Sequence, residues 1–197
     1  MADGILKVGT ITTSSGSGTI TIGQSGETVN IPTGATVSGA GANTPAFKAR
    51  LNSDQTIANV TDTTIGCSTV KLDIGGCYNN TASTVTLNGI STPGYSFAPN
   101  VAGKYFVYGG ARFDSTAGTG TLAYVLLQKN GANSFVGIRD FVPYGGFFVG
   151  GIVEMNGSSD TIKITVYQNT GSSKTIQGAS SDNDDLSNFG AYRIIGA

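Results

Sequence analysis

The first forty residues constrain this chain most, because they combine a strand-like pattern with too little apolar surface to fold alone. β-Branched residues alternate with small polar ones, as at Ile20-Thr21-Ile22 and Val29-Asn30-Ile31, and glycine-containing turns interrupt them. Alternation at a period of two predicts strands rather than a helix. Such short, sparsely apolar strands are not stable by themselves. We interpret residues 1–43 as a thin β stem that needs partners, from the rest of the chain or from identical neighbours.

Composition predicts an all-β fold for the remainder, residues 44–197. Glycine accounts for 30 of 197 residues, about twice its usual share. Only 12% of residues are charged, against roughly 25% in ordinary domains. Helix-favouring runs of Ala, Leu, Glu and Lys are missing, while Thr and Ser abound. This balance favours strands and turns over helices.

Charge and hydropathy argue against two classes of partner. The net charge is −1, and no Lys/Arg cluster provides the electrostatic footprint of a nucleic-acid-binding protein. The longest apolar stretch, residues 141–153, is broken by Pro143 and four glycines, and it is shorter than the roughly 20 residues of a membrane helix. The N-terminus has no secretory h-region. We expect a chain made in the cytoplasm that binds neither nucleic acid nor membrane.

Residues 44–197 contain nine or ten short segments with strand patterning. Asn130-Gly131 predicts a hairpin turn, since this dipeptide supplies the positive φ angles that tight turns require. Regularly spaced strands with turn residues between them are typical of a β-sandwich or jelly roll. The clearest predicted strands are Pro45–Leu51, Lys104–Phe113, Leu122–Gln128, Ser134–Val142, Phe147–Met155, Asp160–Gln168 and Phe189–Ile195.

Residues 44–197, which we call the head, resemble the jelly-roll superfamily of complement component 1q and tumour necrosis factor. The residues that carry the resemblance are Pro45–Leu51, Phe97-x5-Gly103-x-Tyr105, Leu126-x-x-Lys129-Asn130-Gly131 and Phe189-Gly-Ala-Tyr192. Two features depart from the pattern. Val107 and Gly109 stand where aromatics are usual, and residues 81–93 form an insertion. The resemblance implies a jelly-roll β-sandwich that forms homotrimers.

The stem is similar to the N-termini of short fibre and structural proteins of marine bacteriophages. The similarity covers residues 4–37, including Gly4-Ile-Leu-Lys-Val8 and the run from Gly26 to Val37. It implies a virion structural protein whose stem attaches to other virion proteins. Three copies winding together would bury the Ile and Val side chains that one copy leaves exposed.

Six aromatic residues are candidates for the trimer interface. The resemblance places them in strands of the inner sheet, although adjacent strand residues point to opposite faces, so some must fill the core. The candidates are Phe106, Tyr108, Phe147, Phe148, Phe189 and Tyr192.

Residues for catalysis or metal binding are scarce. The chain contains no histidine, which excludes Ser–His–Asp and Cys–His arrangements. Paired carboxylates, near strand ends or in the 180–186 loop, are the remaining candidates for catalytic groups. We nevertheless expect that the protein is not an enzyme and binds no cofactor. Asp182, Asp184 and Asp185 form either a solvated turn or a Ca²⁺ site of the non-EF-hand kind. Paired glycines at 145–146 and 150–151 indicate strand bends or positions where subunits approach closely, rather than a phosphate-binding loop.

The two cysteines, Cys67 and Cys77, have two interpretations. They are either small buried residues kept reduced in the cytosol or partners in a disulfide formed after release. Two thiols without a histidine are too few soft ligands for a metal site.

The sequence therefore predicts a trimeric bacteriophage fibre or adhesin located in the virion, whose head binds a host-surface glycan or protein. Polar loops at the distal end, 130–134, 156–159 and 172–185, are the candidate receptor contacts. Within them we single out Asn130, Asn133, Asn156, Ser158, Ser173 and Asp182. The alternatives are a capsid decoration or head-fibre protein, a small glycan depolymerase, and a cellular trimeric lectin.

Overall fold

A computed structural model describes residues 11, 20–23, 26–30, 43–114, 122–139, 145–179 and 185–195. The chain divides into two compact units, Met1–Ala40 and Gly41–Ala197. Residues 31–42 lie outside the described ranges, so the boundary after residue 43 stays a prediction. In the first unit the described residues form no strand, and the side chains of Ile11, Ile20, Ile22 and Val29 are exposed. A strand needs a hydrogen-bonded neighbour, and this segment has little apolar surface with which to hold one.

The second unit is all-β in its described part, with fourteen strands and no helix. Accordingly, none of the described residues belongs to a helix long and apolar enough to cross a membrane. The strands are β1 (Ala46–Arg50), β2 (Gln55–Ile57), β3 (Thr63–Thr64), β4 (Thr69–Ile74), β5 (Val85–Leu87), β6 (Ile90–Thr92), β7 (Ser96–Phe97), β8 (Gly103–Arg112), β9 (Ala123–Lys129), β10 (Ala132–Arg139), β11 (Gly146–Met155), β12 (Ile162–Gln168), β13 (Lys174–Ile176) and β14 (Asn188–Arg193).

Two five-stranded sheets form a jelly roll, as predicted. The front sheet has the order β11-β8-β14-β1-β4, and the back sheet has the order β10-β9-β12-β3, with β7 also paired to β12. Four antiparallel pairs nest from the outside of the sequence inwards: β1 with β14, β3 with β12, β8 with β11, and β9 with β10. This nested pairing of a folded hairpin defines the double Greek key of a jelly roll.

The core lies between the two sheets and is built from alternating residues of each. Phe47 is its centre: its ring stacks on Tyr78 and Phe97, with centroid distances of 4.4 and 4.7 Å, and meets Phe189 edge-on at 4.9 Å. The continuously apolar run Leu122–Gln128 predicts a strand buried on both faces, and the burial of both Leu126 and Leu127 confirms it. The two sheets are therefore held in a fixed orientation by close-packed rings.

The insertion at residues 81–93 folds into a separate hairpin, β5–β6. The buried Asn79 amide fastens its base by donating to the carbonyl oxygens of Ser83, Thr92 and Pro93 at 2.8–3.0 Å. Near its tip, Asn88 donates to the carbonyls of Gly75 and Gly76. The hairpin is thereby anchored at both ends.

Cys67 and Cys77 are both free and fully buried. Burial raises the pKa of each thiol, and hydrogen bonds with Asn100 and Asn88 oppose this at Cys77. The structure has reduced, protonated thiols and not the disulfide that was the second interpretation.

Candidate functional site

An uninterrupted apolar row crosses the outward side of the front sheet. Ile152, Phe106, Tyr192, Ala46 and Ile74 stand opposite one another on β11, β8, β14, β1 and β4. Ile152 is 56% exposed, Ile74 47% and Tyr192 41%. Contiguous exposed apolar surface on a soluble domain marks an interaction site.

Further large side chains widen this row into a surface that we call the aromatic face. It consists of Leu72, Ile74, Phe106, Tyr108, Phe148, Ile152 and Tyr192. Phe106 contacts Tyr108 and Tyr192, with ring centroids 6.0 and 5.7 Å apart. Phe148 is 64% exposed although it is one of the largest apolar side chains of the chain.

Glycines let the rings lie flat on the sheet. A Cβ at Gly190 would stand 2.5 Å from the Tyr108 hydroxyl oxygen, and one at Gly150 would stand 3.2 Å from both Phe106 and Phe148. Larger residues at these two positions would push the rings away from the strands. On the inner side, Gly151 accommodates the Phe135 ring of β10, which would lie 2.5 Å from an added Cβ. Gly150 and Gly151 thus make room for aromatic rings of the same chain, and close approach of subunits at these glycines stays a prediction.

One ion pair interrupts the aromatic face. Lys48 pairs with Asp185, and both side chains are partly exposed. The hydrogen bond with Asp185 raises the pKa of Lys48. Burial raises the pKa of the neighbouring Tyr108. Tyr108 is thus a neutral phenol, and Lys48 and Asp185 neutralise each other, so the face carries almost no net charge at neutral pH.

Four of the six predicted interface aromatics, Phe106, Tyr108, Phe148 and Tyr192, lie on this face. Phe147 and Phe189 do not: they are 5% and 0% exposed and belong to the core. The reason is the alternation of side chains along a strand, which turns Phe147 inward where Phe148 turns outward. For these two residues the interface prediction was wrong.

The predicted receptor loops do not share one end of the sandwich. We call the end where β1 begins the near end. The turn at 156–160 is there, because Met155 pairs with Gly103 and Tyr105 pairs with Arg193 beside the start of β1. Asn130 joins this turn by donating to Asp160 at 2.8 Å.

Residues 172–179, which include Ser173, lie at the opposite end, where Thr175 and Gln177 bond to the end of β8 and the residues after it. Asp182 lies outside the described residues. Two of the three loops are thus near the start of β1, so their prediction as a single distal cluster was wrong.

A polar cavity of about 530 Å³ opens at the near end of the back sheet. We call it the near-end pocket. Its floor is a cross-strand row in which Ser96, Lys163 and Gln128 stand opposite one another on β7, β12 and β9. Gln128 donates to Asn133 of β10, beside the pocket, at 3.0 Å and to Asp62 at 3.2 Å. The floor therefore carries a hydroxyl, an ammonium and an amide side by side.

Two walls enclose this floor. Ser91 and Pro93 of the inserted hairpin form one wall, and the other consists of Asn130, Gly131, Ser159 and Thr161. Asn130 and Gly131 have φ angles of 52° and 81°, which confirms the predicted Asn-Gly turn. Asn130 accepts a hydrogen bond from the Thr161 amide at 2.9 Å. Both walls are thus fixed by hydrogen bonds rather than free to move.

Asp160 is the structural centre of the second wall. Burial alone raises the pKa of its carboxyl group, but hydrogen bonds from Lys129, Asn130 and the Asn156 amide outweigh burial and lower the pKa. The Lys129 ammonium lies 2.8 Å from the carboxylate. Asn156 also accepts hydrogen bonds from the amides of Ser158 and Ser159. The predicted contacts Asn130, Asn156 and Ser158 thus gather around one network, whereas Asn133 accepts a hydrogen bond from Gln128 instead.

The predicted calcium ligands are only partly described. Asp182 and Asp184 lie outside the described residues, and the Asp185 carboxylate is paired with Lys48. Among the residues that the structure does describe, no group of three acidic or soft side chains could hold a metal ion.

Comparison with family models found no match to this chain, and comparison with curated proteins found none either. Among solved structures the chain is similar to crystal structures of murine APRIL. The pH 8.5 structure aligns with a TM-score of 0.46 and 13% identity over 76% of this chain and 99% of that chain. The pH 8.0 structure gives 0.49 and 14% over 76% and 98%. The jelly-roll topology itself follows from the strand pairing described above.

Sequence reasoning missed most of the near-end pocket. Ser91, Pro93, Ser96, Thr161 and Lys163 line it, yet they come from two stretches of sequence about 65 residues apart. Lys163 could have been placed on the outward side of its strand from the Thr161-Lys163-Thr165 alternation. Ser96 and Gln128 stand on either side of Lys163 because of the register in which the strands pair. No local sequence pattern reveals that register.

Proposed function

We propose that this chain is a bacteriophage virion structural protein, a fibre or adhesin whose head assembles as a homotrimer through the aromatic face and contacts the host surface. The observation that carries the proposal is the apolar row Ile152–Phe106–Tyr192–Ala46–Ile74, which spans all five strands of one sheet. A sheet face of this composition normally packs against protein.

Two further copies of the same chain are the occupants that this surface favours. The face is nearly neutral overall, so identical copies do not repel one another. The stem leaves Ile11, Ile20, Ile22 and Val29 exposed as well. A rotational axis shared by three chains would bury equivalent surfaces on every copy. The resemblance of residues 4–37 to phage fibre N-termini supports the virion role.

A charge on the aromatic face tests the assembly. Phe148→Asp removes apolar burial of about 1.5–3 kcal/mol per subunit and adds a carboxylate to the interface. Val136→Asp is the matched control, because Val136 is 47% exposed on β10 of the other sheet. Light scattering should show a monomer for Phe148→Asp and an unchanged trimer for Val136→Asp. A trimer in both variants would contradict the proposed interface.

The virion role is tested by electron microscopy of purified particles labelled with an antibody against residues 44–197. Label at the tail supports a fibre, and label over the capsid supports a decoration protein. Particles without label would contradict a virion location.

A further inference from the structure

The near-end pocket has the properties of a preformed ligand site. Its volume of about 530 Å³ is within the usual range for small-ligand sites. The inserted hairpin forms one wall, and the buried Asn79 amide fastens that hairpin through three carbonyl groups. A pocket held open by such bonds loses little conformational freedom on binding.

The lining presents many groups that can donate or accept hydrogen bonds, together with apolar surface such as the Pro93 ring. Ser91, Ser96, Ser159 and Thr161 contribute hydroxyls, and Gln128 and Asn130 contribute amides. Hydroxyls and amides both donate and accept. They match the closely spaced hydroxyl groups of a sugar better than they match an apolar ligand.

Lys163 gives the site its charge preference. Within the part of the chain that the structure describes, its ammonium forms no hydrogen bond or ion pair. The nearby carboxylates are already engaged: Asp160 binds Lys129 and Asn130, and Asp62 accepts from Gln128. An ammonium at the floor of a polar cavity favours a ligand carboxylate.

We propose that the near-end pocket binds an acidic saccharide, with Lys163 pairing with the sugar carboxylate and the surrounding hydroxyls and amides binding the ring hydroxyls. This inference rests on the proposed function, since it names the class of host-surface molecule that the head contacts. Three such pockets on one trimer would convert weak single-site binding into strong attachment.

The test is a titration of the full-length protein with tetragalacturonic acid, followed by saturation-transfer NMR. Maltotetraose is the neutral control and tetraglutamate is the acidic peptide control. Lys163→Gln should weaken tetragalacturonate binding about tenfold or more, because it removes a charge-assisted hydrogen bond. Lys174→Gln on β13, at the opposite end, should leave binding unchanged. Ser91→Trp should block binding by filling the mouth.

The proposal is overturned if tetragalacturonate does not bind, if Lys163→Gln binds it as well as the parent protein does, or if maltotetraose or tetraglutamate binds equally well. Light scattering on the same samples measures trimer assembly independently, so the test of the ligand can be separated from the test of the proposed function. A trimer that does not bind the acidic sugar contradicts the proposed ligand but not the proposed assembly. A monomer that binds the sugar contradicts the proposed assembly but not the proposed ligand of the near-end pocket.

Discussion

Asn79→Ala removes the side chain that fastens the inserted hairpin to the sandwich. The Asn79 amide nitrogen lies 2.8–3.0 Å from the carbonyl oxygens of Ser83, Thr92 and Pro93. An amide has two hydrogens, so these contacts amount to two full hydrogen bonds. Its oxygen accepts from the Thr81 amide and hydroxyl at 3.0 and 2.8 Å. Alanine would lose all of these contacts.

The size of the expected destabilisation depends on how deeply the hydrogen-bond partners of Asn79 are buried. Thr92 is 0% exposed, and a buried carbonyl left without a donor costs about 1–3 kcal/mol. The remaining lost bonds are partly exposed and contribute about 1 kcal/mol each. We therefore expect the free energy of unfolding to fall by about 4–6 kcal/mol, a large part of the 5–15 kcal/mol of a typical domain.

The assay is urea unfolding followed by circular dichroism, at one protein concentration because assembly is linked to stability. Asn80→Ala is the matched control. Asn80 is exposed and makes one long bond of 3.3 Å to the Ser68 carbonyl, so its loss should cost less than about 0.5 kcal/mol. If the two variants were equally stable, Asn79 would not be the anchor described here.

Three further predictions concern the core and its titrating groups. Gly109→Ala should destabilise the head by about 2 kcal/mol or more in urea unfolding, because an added Cβ would lie 2.3 Å from the Ile164 side chain and 2.7 Å from the Asn188 carbonyl oxygen; an unchanged midpoint would contradict that packing. The lowered pKa of Asp160 means that its ionised form stabilises the fold above the unfolded pKa of about 3.9, and that this stability is lost as the pH falls through the folded value. Asp160→Asn should therefore flatten the loss of stability as the pH falls below about 4, and an unaltered pH profile would refute this role. Burial raises the pKa of Cys67 and Cys77, so both should resist iodoacetamide at pH 8 in the native protein and react in urea; rapid native labelling would contradict their burial.

Local sequence patterns predicted the positions of the strands well. They predicted less well which side of its sheet each side chain lies on. The alternation in β12, the Asn-Gly turn and the doubly buried β9 all follow from neighbouring residues, and the structure confirms them. Phe147 and Phe148 could not be separated in this way, because both are aromatic and either could point inward. Their assignment requires the pairing of Phe147 with Ala111 and of Phe148 with Gly110 across β8 and β11.

The placement of the loops could have been predicted and was not. Antiparallel strands alternate in direction, so loops separated by two strands share an end of the sandwich. The 130–131 and 156–160 turns are separated by β10 and β11 and therefore lie together, whereas the segment after β12 lies at the other end. The Lys48–Asp185 pair is different: its residues are 137 positions apart, and no local pattern connects them.

Sedimentation equilibrium of the 197-residue chain tests the central claim most directly, because we propose that identical copies bury both the aromatic face and the exposed stem residues. We expect a single species with three times the 20.0 kDa mass of one chain, stable on dilution through the micromolar range. A folded species that sediments as one chain under the same conditions would contradict the account.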